Sequence, residues 1–334
     1  TISGDTLGNL TMTAMQKIPS SGTTASAEVH GSGGGILASV QVNEAEARSN
    51  GTVSAGMHPN IKLTVGGNVT INAYTNSSQR ASADGYNAGI GAANSNHAKA
   101  VSGNATIAYL QKDDCVNAYL LEVNAGGLDD NYAEATAGSG GLLTAVLVKA
   151  ETADTSSSTV YLGSLQASGA YDAGTMTINT EKLRVNSYHN SVFNSKADGI
   201  SVAGIGIGNT SAYNNIQPVA VVKIGNNAAI VVADLTINAY NSAVKEWLSG
   251  DAYNVQSKSG ALVDIPATKS DTVINNTAII SVGQNAALVV TGSISNPGQF
   301  ALNAYNLVTA RDKAKLDNGG LIAVTDAHSI ITCT

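Results

Sequence analysis

The chain has 334 residues, of which only 12% are charged and 4% aromatic, and it contains 35 glycines but only 5 prolines. Its net charge of −7 excludes the basic groove that nucleic-acid binding requires, and it argues against attraction to anionic lipid. A bulky core built around aromatic side chains is also excluded, which leaves thin layers of Val, Ile, Leu and Ala between stacked backbones.

A six-residue phrase, apolar-x-apolar-Asn-small-Tyr, recurs along the whole chain. Its copies in chain order are LTMTAM (10–15), VTINAY (69–74), LEVNAG (121–126), LRVNSY (183–188), LTINAY (235–240) and FALNAY (300–305). The fourth positions of these copies are spaced by 59, 52, 62, 52 and 65 residues, with a mean of 58. Repeats of this length indicate a solenoid, a propeller or an array.

Two further phrases recur within each period. One is glycine followed by an apolar run, as in GIGAA (89–93) and GGLLTAVLV (140–148), usually after an Ala-x-Ala stretch such as RASADG (80–85). The other is a valine-rich run closed by glycine, as in STVYLGS (158–164). Alternation of apolar and polar residues predicts that all three phrases are strands.

The pattern predicts an all-β parallel β-helix, one continuous segment over 1–334 with about six imperfect repeats. Three strand phrases per period suggest two to three turns of about 20 residues each, and hence an elongated rod about 80 Å long. The alternative is a propeller, but its blades need antiparallel strands in about 40–50 residues. The residues expected to point inward on stacked parallel strands are Ile71, Val123, Val185, Ile237 and Leu302.

Asn and Gly cluster where strands are expected to end, as in IGNNA (224–228) and VGQNA (282–286). Both residue types tolerate the left-handed backbone of tight corners. Asn side chains at equivalent corners are expected to hydrogen-bond to one another up the stack, unless they only form ordinary turns. One segment, SAVKEWLSGDAYN (242–254), is predicted as a short surface helix that ends near Gly250.

The order of these phrases, with GGNVTINAY followed by Ala-x-Ala-x-Gly and V-x-I-G-x-N-A, resembles the passenger repeats of large bacterial filamentous adhesins. These are the leukotoxin-type filamentous adhesins related to filamentous haemagglutinin. The resemblance covers nearly all of 10–325 and lies in the style of the repeats. It implies a right-handed β-helix that an outer-membrane transporter exports to the bacterial cell surface. It also implies that this chain is a fragment of a longer protein.

Aromatic residues supply the candidate binding positions. Tyr74, Tyr188, Tyr240 and Tyr305 hold the same place in four copies and should form a series along one edge, either as a binding surface or as corner packing. The only tryptophan, Trp247, lies in a departure from the repeat at 241–258. It is expected either to be an exposed anchor or to cap an apolar patch. Other departures, at 16–30 and 109–119, are further places where loops could carry specificity.

Catalytic motifs are not recognisable, and we predict no catalytic, cofactor-binding or metal-binding residues and no cofactor. The histidines lack HExxH spacing and are expected to face solvent or to lie in turns: His30, His58, His97, His189 and His328.

The other candidate residues also have structural interpretations. Adjacent acids, Asp113–Asp114 and Asp129–Asp130, would point to opposite sides of a strand, and GGLDDN (126–131) is expected to be a loop. The strings GSGGG (31–35) and GIGIGN (204–209) are interpreted as corners, and Cys115 and Cys333 as unpaired thiols.

Two functions are compatible with these features. The first is a non-enzymatic, extracellular adhesive segment whose partners would be a receptor on a host cell, a bacterium or a glycan, with self-assembly end to end or side by side. The second is a polysaccharide-degrading β-helix enzyme, because this fold also carries lyases and glycosidases. The thin spread of 17 basic and 24 acidic residues favours the first, and no nucleic-acid partner is expected.

Overall fold

The computed structural model describes residues 2–3, 8–20, 22–165, 171–250, 252–292 and 297–334. Within these ranges there are three sheets and no helix, and therefore no helix able to cross a membrane. The largest sheet contains β1 (Ile2–Ser3), β2 (Leu10–Gln16), β3 (Ala25–Ser49), β5 (Lys62–Thr64), β6 (Asn68–Ser102), β8 (Cys115–Asp154), β12 (Thr177–Ile216), β14 (Ala229–Lys245), β15 (Val255–Ile274), β17 (Ala287–Val290), β18 (Phe300–Thr309), β19 (Ala314–Asn318), β20 (Ile322–Ala323) and β21 (Asp326–Cys333). The second sheet contains β4 (Thr52–Gly56), β7 (Ala105–Leu110), β9 (Ser157–Leu162), β13 (Val219–Ile224) and β16 (Thr277–Val282), and the third contains β10 (Ser164–Leu165) and β11 (Tyr171–Asp172).

Strands of successive repeats pair in parallel, as a β-helix requires. The exception among the described strands is the small antiparallel pair of β10 and β11. Ile71 pairs with Val123, Val123 with Val185, and Val185 with Ile237. All four side chains are fully buried, which confirms the predicted parallel solenoid and its inward face.

Each repeat forms one coil, and we number the coils 1 to 6 by the six copies of the phrase. Direct partners such as Ile71 and Val123 lie one full period apart. The expectation of two to three turns per period is therefore wrong, and so is the expected length of about 80 Å. Six coils at about 4.8 Å per step give a stack only about 30 Å high, because each coil has a perimeter of more than 50 residues.

The body of each coil encloses an aliphatic core. In coil 3 this core receives Leu110 from β7, Val116 from the start of β8, and Leu121 and Val123 from the repeated phrase. Leu302 in coil 6 also points inward but is 39% exposed, because β18 pairs only with β14 among the described strands. Burial therefore comes from the neighbouring coils rather than from the coil itself.

A second, thinner unit extends from the body and accounts for the long perimeter. The chain runs outward along the Ala-x-Ala stretch, bends at the glycine-apolar run, and returns along the opposite layer; we call this two-layer extension the flange. Its core in coil 3 is made of Ala133, Ala135 and Val148, with other small residues. At the bend, a Cβ on Gly141 would lie 1.9 Å from the Gly89 carbonyl oxygen, so the close approach of successive bends requires glycine.

Corners between strands adopt the predicted left-handed backbone. Asn227 and Asn285, in the IGNNA and VGQNA phrases, have φ angles of 63° and 58°. Asn285 donates a side-chain hydrogen bond to Asn227 at 3.4 Å. The prediction that equivalent corner asparagines contact each other is confirmed for this pair. Cys115 and Cys333 are free thiols, as expected.

The asparagines of the repeated phrase form a longer ladder that runs through coils 2 to 6. Each amide donates to the Oδ1 of the preceding one, at 2.9 Å for Asn124 to Asn72 and 2.8 Å for Asn186 to Asn124. The ladder continues through Asn238 and Asn303 at 2.8 and 2.9 Å. The phrase thus fixes the register of the stack on both faces, with aliphatic side chains inside and amides outside.

Replacing Asn186 by Ala should break two ladder bonds at once. It removes the donor to Asn124 and the acceptor for Asn238, so we expect the free energy of unfolding to fall by about 1–3 kcal/mol. Asn303→Ala is the matched control, because it removes a single bond at the end of the ladder. Urea unfolding followed by circular dichroism measures both, and equal effects would contradict a cooperative ladder.

Candidate functional site

The predicted tyrosine series has a gap that creates a groove. Tyr188, Tyr240 and Tyr305 are direct partners in successive coils, but Tyr74 and Tyr188 both pair with Gly126. Tyr188 bends over this glycine, where a Cβ would lie 2.2 Å from its ring. The rings of Tyr74 and Tyr188 consequently approach each other, with centroids 6.2 Å apart and planes tilted by 38°.

This aromatic groove has a volume of about 510 Å³ and lies on the outer surface of coils 1 to 4. Its apolar lining comes from the two tyrosine rings with Met15, Ile18 and Leu128, and its polar lining includes the amides of Asn76 and Asn190 and a single charged residue, Lys17. Burial raises the pKa of both tyrosines, so their hydroxyl groups are neutral at physiological pH. Among the described residues that line the groove, none is Asp or Glu.

The Trp247 segment is not the predicted helix. The strand β14 continues to Lys245, and described residues 246–250 have no helical structure; Asp251 lies outside the described residues. Trp247 is 52% exposed, but Lys313 and Arg311 lie over its ring at 4.4 and 4.9 Å from the centroid. These cation–π contacts occupy part of the surface that a free aromatic anchor would offer.

The other two departures from the repeat lie in different parts of the fold: the end of 16–30 packs against the flange core through Ala25, Ala27 and Val29, and 109–119 lies on the body. In the first, 16–30, β3 begins at Ala25, and Ser21 lies outside the described residues. In the second, 109–119, a turn joins β7 to β8; Asp114 accepts backbone hydrogen bonds there from Ile61 and Gln111 at 2.9 and 2.8 Å. Asp113 has a φ angle of 64° in the same turn, so this acid pair holds a corner instead of lying on a strand.

Lys245, two residues before Trp247, forms a buried ion pair with Asp312. Lys245 and Asp312 contact each other directly, and both side chains are fully buried. Burial lowers the pKa of Lys245, and the Asp312 charge opposes this shift. Ser270 and Thr272 donate hydrogen bonds to the Asp312 carboxylate at 2.8 and 3.0 Å.

The histidines divide into exposed and buried positions. His30, His58 and His328 are exposed, and His97 lies at the surface, 2.7 Å from Glu151. The expectation of a solvent-facing or turn position is wrong for His189. This residue lies within β12 and is fully buried.

The segment 126–131, expected as a loop, instead lies inside β8. As predicted for adjacent strand residues, its two acids point to opposite sides: Asp130 pairs with Arg80 near the surface, and Asp129 is buried. Asp129 meets His189 and Asp154 in the interior. Sequence reasoning missed this cluster, since its members lie 25 and 35 positions apart along the chain.

The buried cluster is compact and electrostatically coupled. His189 Nε2 lies 3.4 Å from Asp129 Oδ2 and 3.4 Å from Asp154 Oδ2. Burial and the Asp154 charge raise the pKa of Asp129. Burial opposes ionisation of the other two, but their mutual hydrogen bond and the attraction between their charges, together with smaller contributions from neighbouring groups, outweigh it in sum, so the pKa of Asp154 is lowered and that of His189 is raised.

An apolar ridge runs along the tip of the flange. The glycine-apolar runs of successive coils place large aliphatic side chains in solvent there, and the exposed members include Ile36, Leu37, Ile90, Leu142, Val202, Leu262 and Leu321. The strings GSGGG and GIGIGN reach this tip, but they lie inside the long strands β3 and β12, so the corner interpretation is wrong for most of their residues. Exposed aliphatic surface of this extent is typical of interaction sites.

No family model matches the sequence, and comparison with curated proteins and with solved structures finds no match to either.

Proposed function

We propose that this chain is a non-enzymatic adhesive segment at the bacterial cell surface and that it binds a neutral glycan in the aromatic groove. The observation that supports this proposal is the groove between Tyr74 and Tyr188, which the coil-3 glycine opens in an otherwise regular stack. Tyrosine rings provide apolar faces for sugar C–H groups, and their hydroxyls provide polar contacts. The amides of Asn76 and Asn190 add neutral donors and acceptors for hydroxyl groups.

The extracellular location and export by an outer-membrane transporter form part of the same proposal. They rest on the resemblance of the repeats to filamentous adhesin passengers. A rigid stack with a recess on its side is compatible with that role, because ligand contacts then sit on a scaffold that does not rearrange.

The alternative enzyme function is less well supported by the groove. Glycoside hydrolysis by the usual mechanism needs two carboxyl groups facing each other across the substrate, and the described lining contains no carboxylate. Asp129 and Asp154 cannot replace them, since both are fully buried.

Glycan binding should depend on Tyr188 but not on Tyr240. We expect Tyr188→Ala to weaken binding to neutral oligosaccharides about tenfold or more, because it removes one wall of the groove. Tyr240→Ala is the matched control, since Tyr240 holds the same place in the phrase one coil further along. Titration calorimetry on a panel of neutral oligosaccharides measures both variants.

The same panel tests two further parts of the proposal. Trp247→Ala should bind as the wild type does, because the groove is formed by coils 1 to 4. Equal binding by wild type and Tyr188→Ala would remove the groove from the proposal. Release of reducing sugar by the intact chain would instead favour the enzyme function.

Side-by-side self-assembly would use the apolar ridge. Its tips repeat at the strand spacing of about 4.8 Å, so the ridge of a second copy can match it coil by coil. The ridge is also nearly free of charge. Asp264 is the only Asp, Glu, Lys, Arg or His within 31–43, 85–96, 135–148, 199–210, 259–268 and 318–325, and its side chain is buried. A narrow ridge buries little surface in such a contact, so we expect the contact between copies to be weak and reversible.

A further inference from the structure

The buried cluster of coils 3 and 4 has the arrangement of a metal site. One ligand atom from each of His189, Asp129 and Asp154 lies within 4.8 Å of the other two, and His189 Nε2 lies 3.4 Å from the Oδ2 of each aspartate. We propose that they bind one divalent transition-metal ion, with Zn²⁺ as the best match, and that this ion links coil 3 to coil 4. Coil 3 supplies both carboxylates and coil 4 supplies the imidazole.

The two distances from His189 to the aspartates match tetrahedral coordination. In a tetrahedral zinc site with ligands about 2.0–2.1 Å from the metal, neighbouring ligand atoms lie about 3.3–3.4 Å apart. Both His189–Asp distances are 3.4 Å. Calcium and magnesium are disfavoured because they take oxygen ligands in larger numbers, whereas one of the three ligand atoms here is an imidazole nitrogen. Three protein ligands leave the fourth position to a water molecule.

The hydrogen bonds around the cluster also fit a metal site. Asp129 Oδ1 accepts hydrogen bonds from Ser77 and, at 2.7 Å, from Asn104, and Asp154 Oδ1 accepts one from the Ser156 backbone at 2.8 Å. Asp129 Oδ2 receives no hydrogen bond from the described residues, although it is fully buried. The protein therefore holds one oxygen of each carboxylate and leaves the other directed at His189, which is how surrounding groups orient metal ligands.

The histidine is held in the same manner. Its other ring nitrogen, Nδ1, lies 3.5 Å from Ser158 Oγ, so Nε2 is the atom that faces the carboxylates. Gly127 provides the space for the ring, because a Cβ there would lie 2.4 Å from His189 Nδ1. The glycine pair of LEVNAGG therefore serves two purposes: Gly126 accommodates Tyr188, and Gly127 accommodates His189.

Charge balance supports a divalent cation in this position. Two buried carboxylates and a neutral imidazole carry two negative charges, which a divalent ion neutralises. Without metal, the same neutralisation requires two protons, one on His189 and one on Asp129. The experiment separates these two states, since only the first contains bound metal.

The test uses the full chain, unfolded with chelator and refolded with Zn²⁺ because the site is buried. After dialysis we expect one Zn²⁺ per chain by elemental analysis, and a tetrahedral visible spectrum when Co²⁺ replaces Zn²⁺. Asp129→Asn, which keeps the side-chain shape, and His189→Gln should both lose the bound ion. Ser158→Ala should weaken Zn²⁺ affinity about 10- to 100-fold, as removal of a group that orients a ligand does.

Two controls identify the site. Asp130→Asn changes the neighbouring acid on the outer side of the strand, and His97→Gln changes a surface histidine near Glu151; both should retain one Zn²⁺ per chain. The proposal is overturned if the refolded wild type retains no metal, which would leave a proton-held cluster. It is equally overturned if folded Asp129→Asn binds as much Zn²⁺ as wild type, which would indicate binding at surface histidines.

Discussion

Replacing Ile237 by Asp is expected to unfold the stack around coil 5. Ile237 is fully buried in the body core and pairs with Val185 below it and Leu302 above it. A carboxylate there would be buried between aliphatic layers without a cation or donor beside it, a change that costs several kcal/mol. The melting temperature should fall sharply, and limited proteolysis should cut within coil 5 first, because each coil depends on its neighbours.

Thr236→Asp is the matched control for this substitution. Thr236 is the preceding residue on the same strand, points to the other side, and pairs with Arg184 of the previous coil. A carboxylate at this partly exposed position should change stability little, since it stays hydrated and near a cation. A melting curve of Ile237→Asp that matches the wild-type curve would show that Ile237 is not part of the core.

The parallel stack could be predicted because its signal is local and repeated. The phrase places an aliphatic residue, an Asn and a Tyr at fixed offsets, and the structure pairs these positions directly from coil to coil, as Val185 with Ile237 and Asn186 with Asn238. A one-residue slip would move every aliphatic side chain to the outer face. The length of the repeat and the inward-facing positions of the phrase therefore follow from the sequence alone, but the direct pairing of consecutive copies does not.

The width of the coil could not be predicted in the same way. The sequence pattern predicts about one small turn for each strand phrase, whereas the Ala-x-Ala stretch and the run after it pack against each other as the flange within a single wide coil. Alternation shows that a strand has two faces, but it does not show which other strand covers each face. The small size of Ala133 and Ala135 was the available signal, because two closely packed layers need small side chains.

The predictions of candidate sites were limited in a similar way, because sequence shows the repeat but not which residues of different coils lie side by side. The tyrosine series followed from the repeat, but the groove depends on Gly126, where the repeat is broken. His189, Asp129 and Asp154 become neighbours only because coils 3 and 4 stack with an offset of 62 residues.

In the segment 242–254, the spacing of apolar residues predicts a helix, but the structure has a strand there as far as Lys245. Backbone pairing of β14 with β12 and β18 extends the strand to that point.

The pair of Lys245 and Asp312 is the site of the second large effect. Lys245→Ala should lower the free energy of unfolding by about 3–5 kcal/mol, because it leaves the Asp312 carboxylate buried without its cation. Lys269→Ala is the control, since Lys269 is half-exposed and its contact with Asp271 at 3.1 Å is a surface pair worth about 0–1 kcal/mol.

The double substitution Lys245→Met with Asp312→Leu distinguishes a lost attraction from an uncompensated charge. Replacing both ions by apolar side chains of similar size removes the buried charge altogether, so the double variant should recover most of the stability that Lys245→Ala loses. Ser270 and Thr272 would lose their acceptor, which makes full recovery unexpected. Chemical unfolding of the two variants and the wild type measures the difference. A double variant as unstable as Lys245→Ala would show that the ion pair contributes through its geometry and not only by neutralising Asp312.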